Sequence, residues 1–206
     1  SLDKTDAAGN TSHVGATPDG ASLAMSLTCL LAPNASAHEH EMTPAQTSAL
    51  AQADVMAVSG VDLEHFLDDA VVSSGFKGRM VVTSGVLTAA DVDNPGTPDP
   101  EGAYTIDRGN ERVDVAPWPF PPEEAGEEPE FRFDPHVWTS PKGARVQVAN
   151  LGVGLAAAAP DAASSINAAT ASYLEEIDAL DEWTAEAIAT VPEGQRVLFT
   201  SHDAFG

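Results

Sequence analysis

Residues 54–83, with the sequence DVMAVSGVDLEHFLDDAVVSSGFKGRMVVT, decide the fold. Apolar runs at 54–58 and 80–83 have the length and aliphatic content of buried β-strands. Gly60 ends the first run. Apolar side chains then recur at helical spacing, at Leu63, Phe66, Leu67 and Ala70. The stretch therefore predicts a strand, a helix and a second strand.

The residues before this stretch carry the same alternation. An apolar run at 23–31 predicts a strand, which Pro33 ends. Thr43 is placed to cap a helix that opens with Pro44 and runs to about Ala53. Strand, helix, strand, helix and strand within about 60 residues are typical of an α/β fold with a parallel sheet flanked by helices.

The second half of the chain is predicted to be a long loop followed by helices. Residues 90–133 carry many prolines, glycines and acidic residues, which exclude a helix or a central strand and predict a long mobile loop. Helical signals return at Ser140-Pro141 and continue to about Ala159. Residues 161–190 are the longest helix candidate, about 45 Å at about 1.5 Å per residue. Residues 197–200 (VLFT) then predict a strand.

Charge restricts the classes of partner. The 206 residues are enough for one large domain, or for one domain and the start of a second. They contain 9 Lys and Arg against 32 Asp and Glu, a net charge of -23, which repels nucleic acid and anionic lipid and attracts cations. The acidity is typical of a solvated surface in a salt-adapted protein, and direct gathering of metal ions is the alternative interpretation.

The N-terminal region gives weaker signals. Residues 1–22 are rich in Gly, Ser, Thr, Asp and Asn without a period, and they predict a disordered or loosely attached tail. Residues 24–37 contain an apolar run and an Ala-x-Ala ending, as secretory signals do, but Lys4 is the only basic residue upstream, so no convincing signal is present. We expect a buried strand at 26–31 instead. The single cysteine, Cys29, excludes an intrachain disulfide and a cysteine-based zinc cluster.

Three histidines lie in three separate short motifs. They are His38 in SAHEHEMTP, His136 in FDPHVWTSP and His202 in TSHDAFG. Neutral imidazole is the commonest metal ligand in proteins. His38 and His202 both follow predicted strands, and the ligand crevice of a parallel sheet lies beyond the carboxyl ends of its strands. The pattern predicts a metal site assembled from distant segments.

Each histidine also has an alternative role. His40 lies two residues from His38 and is its rival as ligand. His136 could enter a helix with its ring held by a backbone carbonyl, and His202 could form a simple hydrogen bond with Asp203. His13 is predicted to be a solvated residue of the tail, and His65 a surface residue of a helix. Glu64, next to His65, is predicted to be solvated.

Three stretches together resemble one known family. They are residues 32–68 (APNASAHEHEMTPAQTSALAQADVMAVSGVDLEHFLD), 133–144 (FDPHVWTSPKGA) and 197–206 (VLFTSHDAFG). In this order they resemble the zinc and manganese solute-binding proteins of bacterial ABC importers, of the cluster A-I type. The resemblance covers about residues 23–206.

The resemblance implies a two-lobed periplasmic-binding-protein-like fold, with parallel sheets flanked by helices and a long backbone helix. The second lobe is expected to be largely missing from this chain. The implied divisions are a tail at 1–22, an N-terminal α/β lobe at 23–159 with the acidic loop 90–133, a linking helix at 160–191, and the start of the C-terminal lobe at 192–206.

The resemblance also implies a function. His38, His136 and His202 would be metal ligands, with Zn²⁺ as the transported ion and Mn²⁺ as the alternative. The family's fourth ligand is a carboxylate of the second lobe, beyond Gly206. The protein would capture the ion outside the cytoplasm, in the periplasm or anchored at the cell surface, and deliver it to the membrane permease of an ABC transporter. A metal-binding adhesin or surface interaction protein on the same scaffold is the alternative.

A zinc-dependent hydrolase is the enzyme alternative, because catalytic zinc keeps three protein ligands and an open position for water. Glu39, Glu41 and Asp203 could serve as a general base, but the helical HExxH signature is absent. Ser201, His202 and Asp203 are adjacent in sequence and cannot converge as a catalytic triad. We therefore expect that the protein is not an enzyme.

Overall fold

The computed structural model describes residues 2–5, 11–14, 25–31, 35–38, 40–96, 98–99, 102–122, 126, 129, 131–200 and 204. The strands are β1 (Leu2–Thr5), β2 (Thr11–Val14), β3 (Met25–Thr28), β4 (Val55–Val58), β5 (Arg79–Val82) and β6 (Thr105–Asp107). The helices are α1 (Pro44–Ala51), α2 (Leu67–Ser74), α3 (Ala89–Asp93), α4 (Pro141–Ala158) and α5 (Ala163–Ala189). Short 3-10 turns lie at Val137–Thr139, Pro160–Ala162 and Glu193–Gln195.

The central sheet is parallel, as the sequence predicts. Its strand order is β4-β5-β6, with Val55 opposite Arg79 and Arg79 opposite Thr105. A second sheet has the order β2-β1-β3, in which β1 is antiparallel to β2 and parallel to β3. The prediction of an α/β architecture with helices on a parallel sheet is confirmed.

Local signals at the start of α1 are also confirmed. The Thr43 side chain accepts a hydrogen bond from the backbone N–H of Gln46 (3.3 Å), and the Gln46 side chain accepts one from the backbone N–H of Thr43 (2.8 Å). Pro44 occupies the first turn, where its missing N–H costs nothing. This reciprocal capping box satisfies two backbone donors that a helix N-terminus leaves open.

The N-terminal region differs from expectation. β1 and β2 lie within residues 1–22, for which the sequence predicts no regular structure. The residues of β1 from Leu2 to Thr5 pair in register with those of β3 from Met25 to Thr28. The strand β3, about 20 residues away, thus supplies the backbone hydrogen bonds that make a strand of β1. The composition of residues 1–22 does not reveal this distant partner. Residues 23 and 24 of the predicted first strand lie outside the described residues.

Two further segments differ from the sequence prediction. Helix α3 begins at Ala89 and overlaps the start of the predicted 90–133 loop, because Asp91 accepts hydrogen bonds from the backbone N–H groups of Leu87 and Thr88. Strand β6 lies at the edge of the sheet, so the prediction that the loop holds no central strand stands. Residues 197–200 do not form the predicted strand, since no strand in the described part of the chain pairs with them.

The helices cover both faces of the central sheet. On one face, Leu50 of α1 and Val71 of α2 pack with Met80 and Val82 of β5. On the other face, Val81 of β5 contacts α4. Helix α5 then packs along the outer side of α4. None of the helices within the described residues is long and apolar enough to cross a membrane.

A buried amide joins α4 to the carboxyl end of the sheet. Asn150 is fully buried; its Oδ1 accepts hydrogen bonds from the backbone N–H groups of Asn110 and Glu111, both at 3.0 Å. Its Nδ2 donates to the carbonyl oxygens of Thr83 and Glu111, both at 2.8 Å. Gly109 has φ +65°, and a Cβ there would lie 2.1 Å from Asn150 Oδ1. The amide uses its full hydrogen-bonding capacity, and glycine leaves room for it.

Replacing Asn150 should destabilise the protein. Asn150→Ala removes one side chain but leaves several buried backbone groups without partners, so we expect a loss of about 2–4 kcal/mol in the free energy of unfolding. Urea denaturation measures this loss. Asn110→Ala is the control, because that side chain is exposed and its loss should change the free energy by less than about 0.5 kcal/mol. Equal effects of the two substitutions would contradict the role given to the amide.

Candidate metal centre

His136 is held rigidly at the entrance to α4. It follows Asp134-Pro135 and precedes the 3-10 turn Val137–Thr139, which leads into the helix. Its side chain is buried, with 3% of the residue exposed. The carbonyl oxygen of His136 accepts hydrogen bonds from the backbone N–H (3.1 Å) and the hydroxyl (2.8 Å) of Thr139. Asp134 is fixed in turn, because its backbone N–H donates to the carbonyl oxygen of Ala116 at 2.9 Å.

A carboxylate orients the His136 ring. Asp134 Oδ1 lies 2.9 Å from the backbone N and 2.8 Å from the ring Nδ1 of His136. A carboxylate is an acceptor, so Nδ1 carries the proton and donates it to Asp134. In the neutral ring, Nε2 then keeps the lone pair with which imidazole binds a metal ion. A carboxylate rather than a backbone carbonyl therefore orients this histidine.

His38 approaches His136 from a distant part of the chain. It lies between β3 and α1, where its backbone N–H donates to Ser36 Oγ at 3.2 Å. The Nε2 atoms of His38 and His136 are 3.1 Å apart, across 98 positions of sequence. The ring planes meet at 69°. The structure thus brings together two of the three histidines that the sequence predicts as ligands.

The spacing of the two nitrogens fits a tetrahedral metal ion. Zinc binds imidazole nitrogen at about 2.0–2.1 Å, which places two ligand nitrogens about 3.3 Å apart in a tetrahedral site. The Nε2 atoms of His38 and His136 lie 3.1 Å apart, so a small shift of one ring would bring them to this separation. Two imidazole nitrogens are also a donor set that suits zinc.

Aromatic rings enclose the histidine pair. Phe131 lies 5.2 Å from the His38 ring, and Trp118 and Trp138 lie 6.0 Å and 5.4 Å from the His136 ring. Phe131 is 5% exposed. Apolar neighbours lower the local dielectric and strengthen the interaction between a cation and its ligands.

The other predicted ligand and its neighbour are not described. His202 and Asp203 lie outside the described residues, as does Glu39. The described residues contain no group of three or more His, Cys, Asp or Glu side chains placed to hold a metal ion. The structure therefore presents two histidines, and the place of His202 stays a prediction.

His40, the rival of His38, lies in a different environment. Its ring meets Phe66 edge to face at 4.9 Å. Its Nε2 is buried and has no hydrogen-bond partner among the described residues. His40 and His38 thus face different neighbours, and His38 is the one beside His136.

Glu64 is a half-buried carboxylate, whereas the sequence predicts a solvated one. Its Oε1 accepts a hydrogen bond from the backbone N–H of Ser59 (2.6 Å) and its Oε2 from that of Gly60 (3.1 Å), at the end of β4. Burial raises the pKa of Glu64, and these hydrogen bonds oppose the increase only in part. The neighbouring His65 is exposed, as predicted, and stacks on Phe131 at 5.7 Å.

A cavity of about 570 Å³ lies beside the histidine pair rather than around it. Phe131, His65 and Glu64 contribute to its wall, but His38 and His136 do not. Asp91 and Arg108, which also line the cavity, form an ion pair at 3.1 Å. The histidine pair therefore does not belong to the lining of this cavity.

Comparison with known proteins identifies the family of the chain. The family described as "ZnuA: Zinc-uptake complex component A periplasmic" matches residues 21–206. The chain belongs to this family. The family resemblance predicted from the three sequence motifs is thus confirmed.

Individual members of the ZnuA family and their relatives are similar over most of the chain. The manganese-binding lipoprotein MntA of Bacillus subtilis (strain 168) is 27% identical over 179 residues, which are 87% of this chain and 48% of the relative. The iron-binding protein YfeA of Yersinia pestis is 27% identical over 175 residues, 84% of this chain and 45% of the relative. The chain spans about half the length of these curated relatives.

A solved structure shows the same fold. The periplasmic zinc binding protein TroA from Treponema pallidum superposes with a TM-score of 0.58 at 21% identity, over 89% of this chain and 54% of that one. The predicted relation to the periplasmic metal-binding fold is thus confirmed.

The half-buried Glu64 should make stability depend on pH. A carboxyl group whose pKa is raised by folding binds more protons in the folded state, so stability is lost as pH rises from about 4.5 through the raised pKa. We expect the stability of the parent relative to Glu64→Gln to fall across this window and to be constant below it. Urea unfolding at a series of pH values measures the difference. Glu193→Gln, at an exposed carboxylate, controls for the lost charge. A difference between the parent and Glu64→Gln that does not change with pH would contradict the prediction.

Asp134 should determine the tautomer of His136. In Asp134→Ala the Nδ1–H group loses its acceptor, so we expect the ring to change from the Nδ1–H tautomer to a mixture of both forms. Two-dimensional ¹H–¹⁵N NMR of the imidazole groups in the metal-free protein reports the tautomer directly. Asp114→Ala removes an exposed carboxylate nearby in sequence and should leave the His136 signals unchanged. A parent ring protonated at Nε2 would show that the assignment is wrong.

Proposed function

We propose that the protein captures a divalent metal ion, Zn²⁺ in the first place, and supplies it to a membrane importer. The observation that carries this proposal is the pair of Nε2 atoms 3.1 Å apart, on one of which the Asp134 hydrogen bond leaves the lone pair. A neutral imidazole pair at this spacing has the chemistry of a zinc site. Membership of the ZnuA family supports the same function.

The proposed ligands are His38, His136 and His202. His136 is the rigid member, because Asp134 and Thr139 hold it on both sides. His38 completes the described pair. His202 is proposed from its motif, TSHDAFG, and from the family resemblance.

Zinc is proposed ahead of manganese because of the donor atoms. Imidazole nitrogen suits zinc, whereas manganese prefers more carboxylate and carbonyl oxygen. Relatives of the chain are named for manganese and for iron, and a structural relative is named for zinc. Mn²⁺ is therefore the alternative ion, and competition between the two ions decides between them.

The partner and the location follow from the family. We propose that the loaded protein docks on the membrane permease of an ABC transporter, outside the cytoplasm. The relatives named as a lipoprotein and as a periplasmic protein support this location. The protein would act as a receptor for a transported ion, not as a catalyst. The division into an N-terminal lobe at 23–159, a linking helix at 160–191 and the start of a second lobe at 192–206 belongs to the same proposal.

Zinc titration of the 206-residue chain by calorimetry, with Mn²⁺ as competitor, tests the function. We expect one tight zinc equivalent, and a loss of affinity greater than about 100-fold in His38→Ala, His136→Ala and His202→Ala, since removing a ligand exceeds the roughly 10–100-fold cost of removing its supporting group. Zinc should displace Mn²⁺ from the site.

His40→Ala is the matched control, because it removes a histidine from the same segment that does not face His136. It should bind zinc nearly as well as the parent. A larger loss in His40→Ala than in His38→Ala would make His40 the ligand, and unchanged binding in His136→Ala would refute the metal centre.

A further inference from the structure

We propose that Phe131 is a positioning residue for the metal ion: its buried ring holds the His38 imidazole toward His136 and thereby raises zinc affinity, although it offers no ligand atom. This inference rests on the proposed metal capture. It assigns a role to a residue of the acidic 90–133 segment, for which the sequence predicts a long mobile loop.

The ring of His38 is positioned by residues from other parts of the chain. It lies outside the helices and strands, and its backbone N–H bonds only two residues back, to Ser36. His136, by contrast, is held by Asp134 at the ring and by Thr139 at the backbone. The His38 ring lies within hydrogen-bonding distance of His136, at 3.1 Å between the Nε2 atoms, and the contact with Phe131 adds packing to this restraint.

Phe131 is placed to supply the packing. Its ring centroid lies 5.2 Å from that of His38 with the planes at 50°, and 6.3 Å from that of His136 with the planes at 83°. One aromatic side chain therefore contacts both imidazoles. A ring in this place limits rotation of His38 about its side-chain torsions, since a flat neighbour leaves few orientations without a clash.

Phe131 is itself well fixed. It is 5% exposed, meets Trp118 edge to face at 5.1 Å and stacks on His65 at 5.7 Å with the planes at 10°. The backbone next to it is paired, because the Trp118 N–H donates to the carbonyl oxygen of Arg132 at 3.1 Å. Because Phe131 is fixed, its ring restricts the orientations of the His38 ring, whereas a mobile ring would move with it.

The energetic effect is preorganisation. A side chain that is ordered before the metal binds loses less conformational entropy on binding. Freeing the two torsions of one histidine should weaken zinc binding by roughly 2- to 10-fold. This is smaller than the loss on removing a ligand, so the two roles are separable by magnitude.

Zinc affinity of Phe131→Leu tests the inference, with Phe133→Leu as the control. Leu retains apolar bulk without a flat ring. Phe133 lies in the same arm of the segment, but its ring faces the Arg132 guanidinium at 5.1 Å and the core around Val61 rather than an imidazole. We expect the Phe131 variant to bind zinc roughly 2- to 10-fold more weakly and the Phe133 variant to match the parent.

A double-mutant cycle separates positioning from a purely structural role. In a His38→Ala background, Phe131→Leu should weaken the residual zinc affinity no further, because the ring it positions is gone. An equal loss with and without His38, or parental affinity in Phe131→Leu, would overturn the inference. If Leu lowers the melting temperature strongly, Phe131→Met, which also lacks a flat ring, replaces it in the cycle.

NMR of the metal-free protein keeps this inference distinct from the proposed function. The His38 imidazole should give one sharp set of ring signals in the parent and averaged signals in Phe131→Leu. A parent chain that binds no zinc would refute metal capture and leave this readout intact. Identical His38 ring signals in parent and variant would then show that Phe131 does not position the ring.

Discussion

The buried Asn150 amide is the interaction on which the rest of the structure depends. With two backbone donors on its oxygen and two backbone acceptors on its nitrogen, it ties α4 to the end of β5 and to the chain after β6. If α4 shifted along the sheet, these backbone groups and the amide would be buried without hydrogen-bond partners, which costs free energy. The hydrogen bonds therefore favour one position of α4 along the sheet. Because His136 lies just before α4, this constraint also helps to fix the position of His136.

The proposed metal site joins two histidines from distant parts of the chain. His136 receives its orientation from Asp134, whose carboxylate both caps the turn and selects the ring tautomer. The His38 ring lies against Phe131 and within hydrogen-bonding distance of His136 Nε2. Two nitrogens that are placed together before an ion arrives would lower the conformational entropy lost on binding. The net charge of -23 adds a long-range attraction for any cation that approaches.

The prediction from sequence succeeded where the signal is local. The cap at Thr43, the proline at the start of α1 and the apolar runs of β4 and β5 each act within a few residues, and each appears in the structure. Prediction failed where partners are distant. The pairing of β1 with β3 makes a strand of a segment that composition marks as irregular, and residues 197–200 lack the neighbour that a strand requires among the described residues.

By itself, the sequence determined the succession of α1, β4, α2 and β5, the parallel sheet and the family, because periodicity, capping and motif spacing are local properties of the chain. Only the tertiary structure decided that His38 and not His40 faces His136, that Asp134 accepts the Nδ1–H of His136, and that Glu64 is partly removed from solvent. These features depend on contacts between residues up to 98 positions apart, and on the desolvation that such contacts impose. Local sequence preferences carry no information on either.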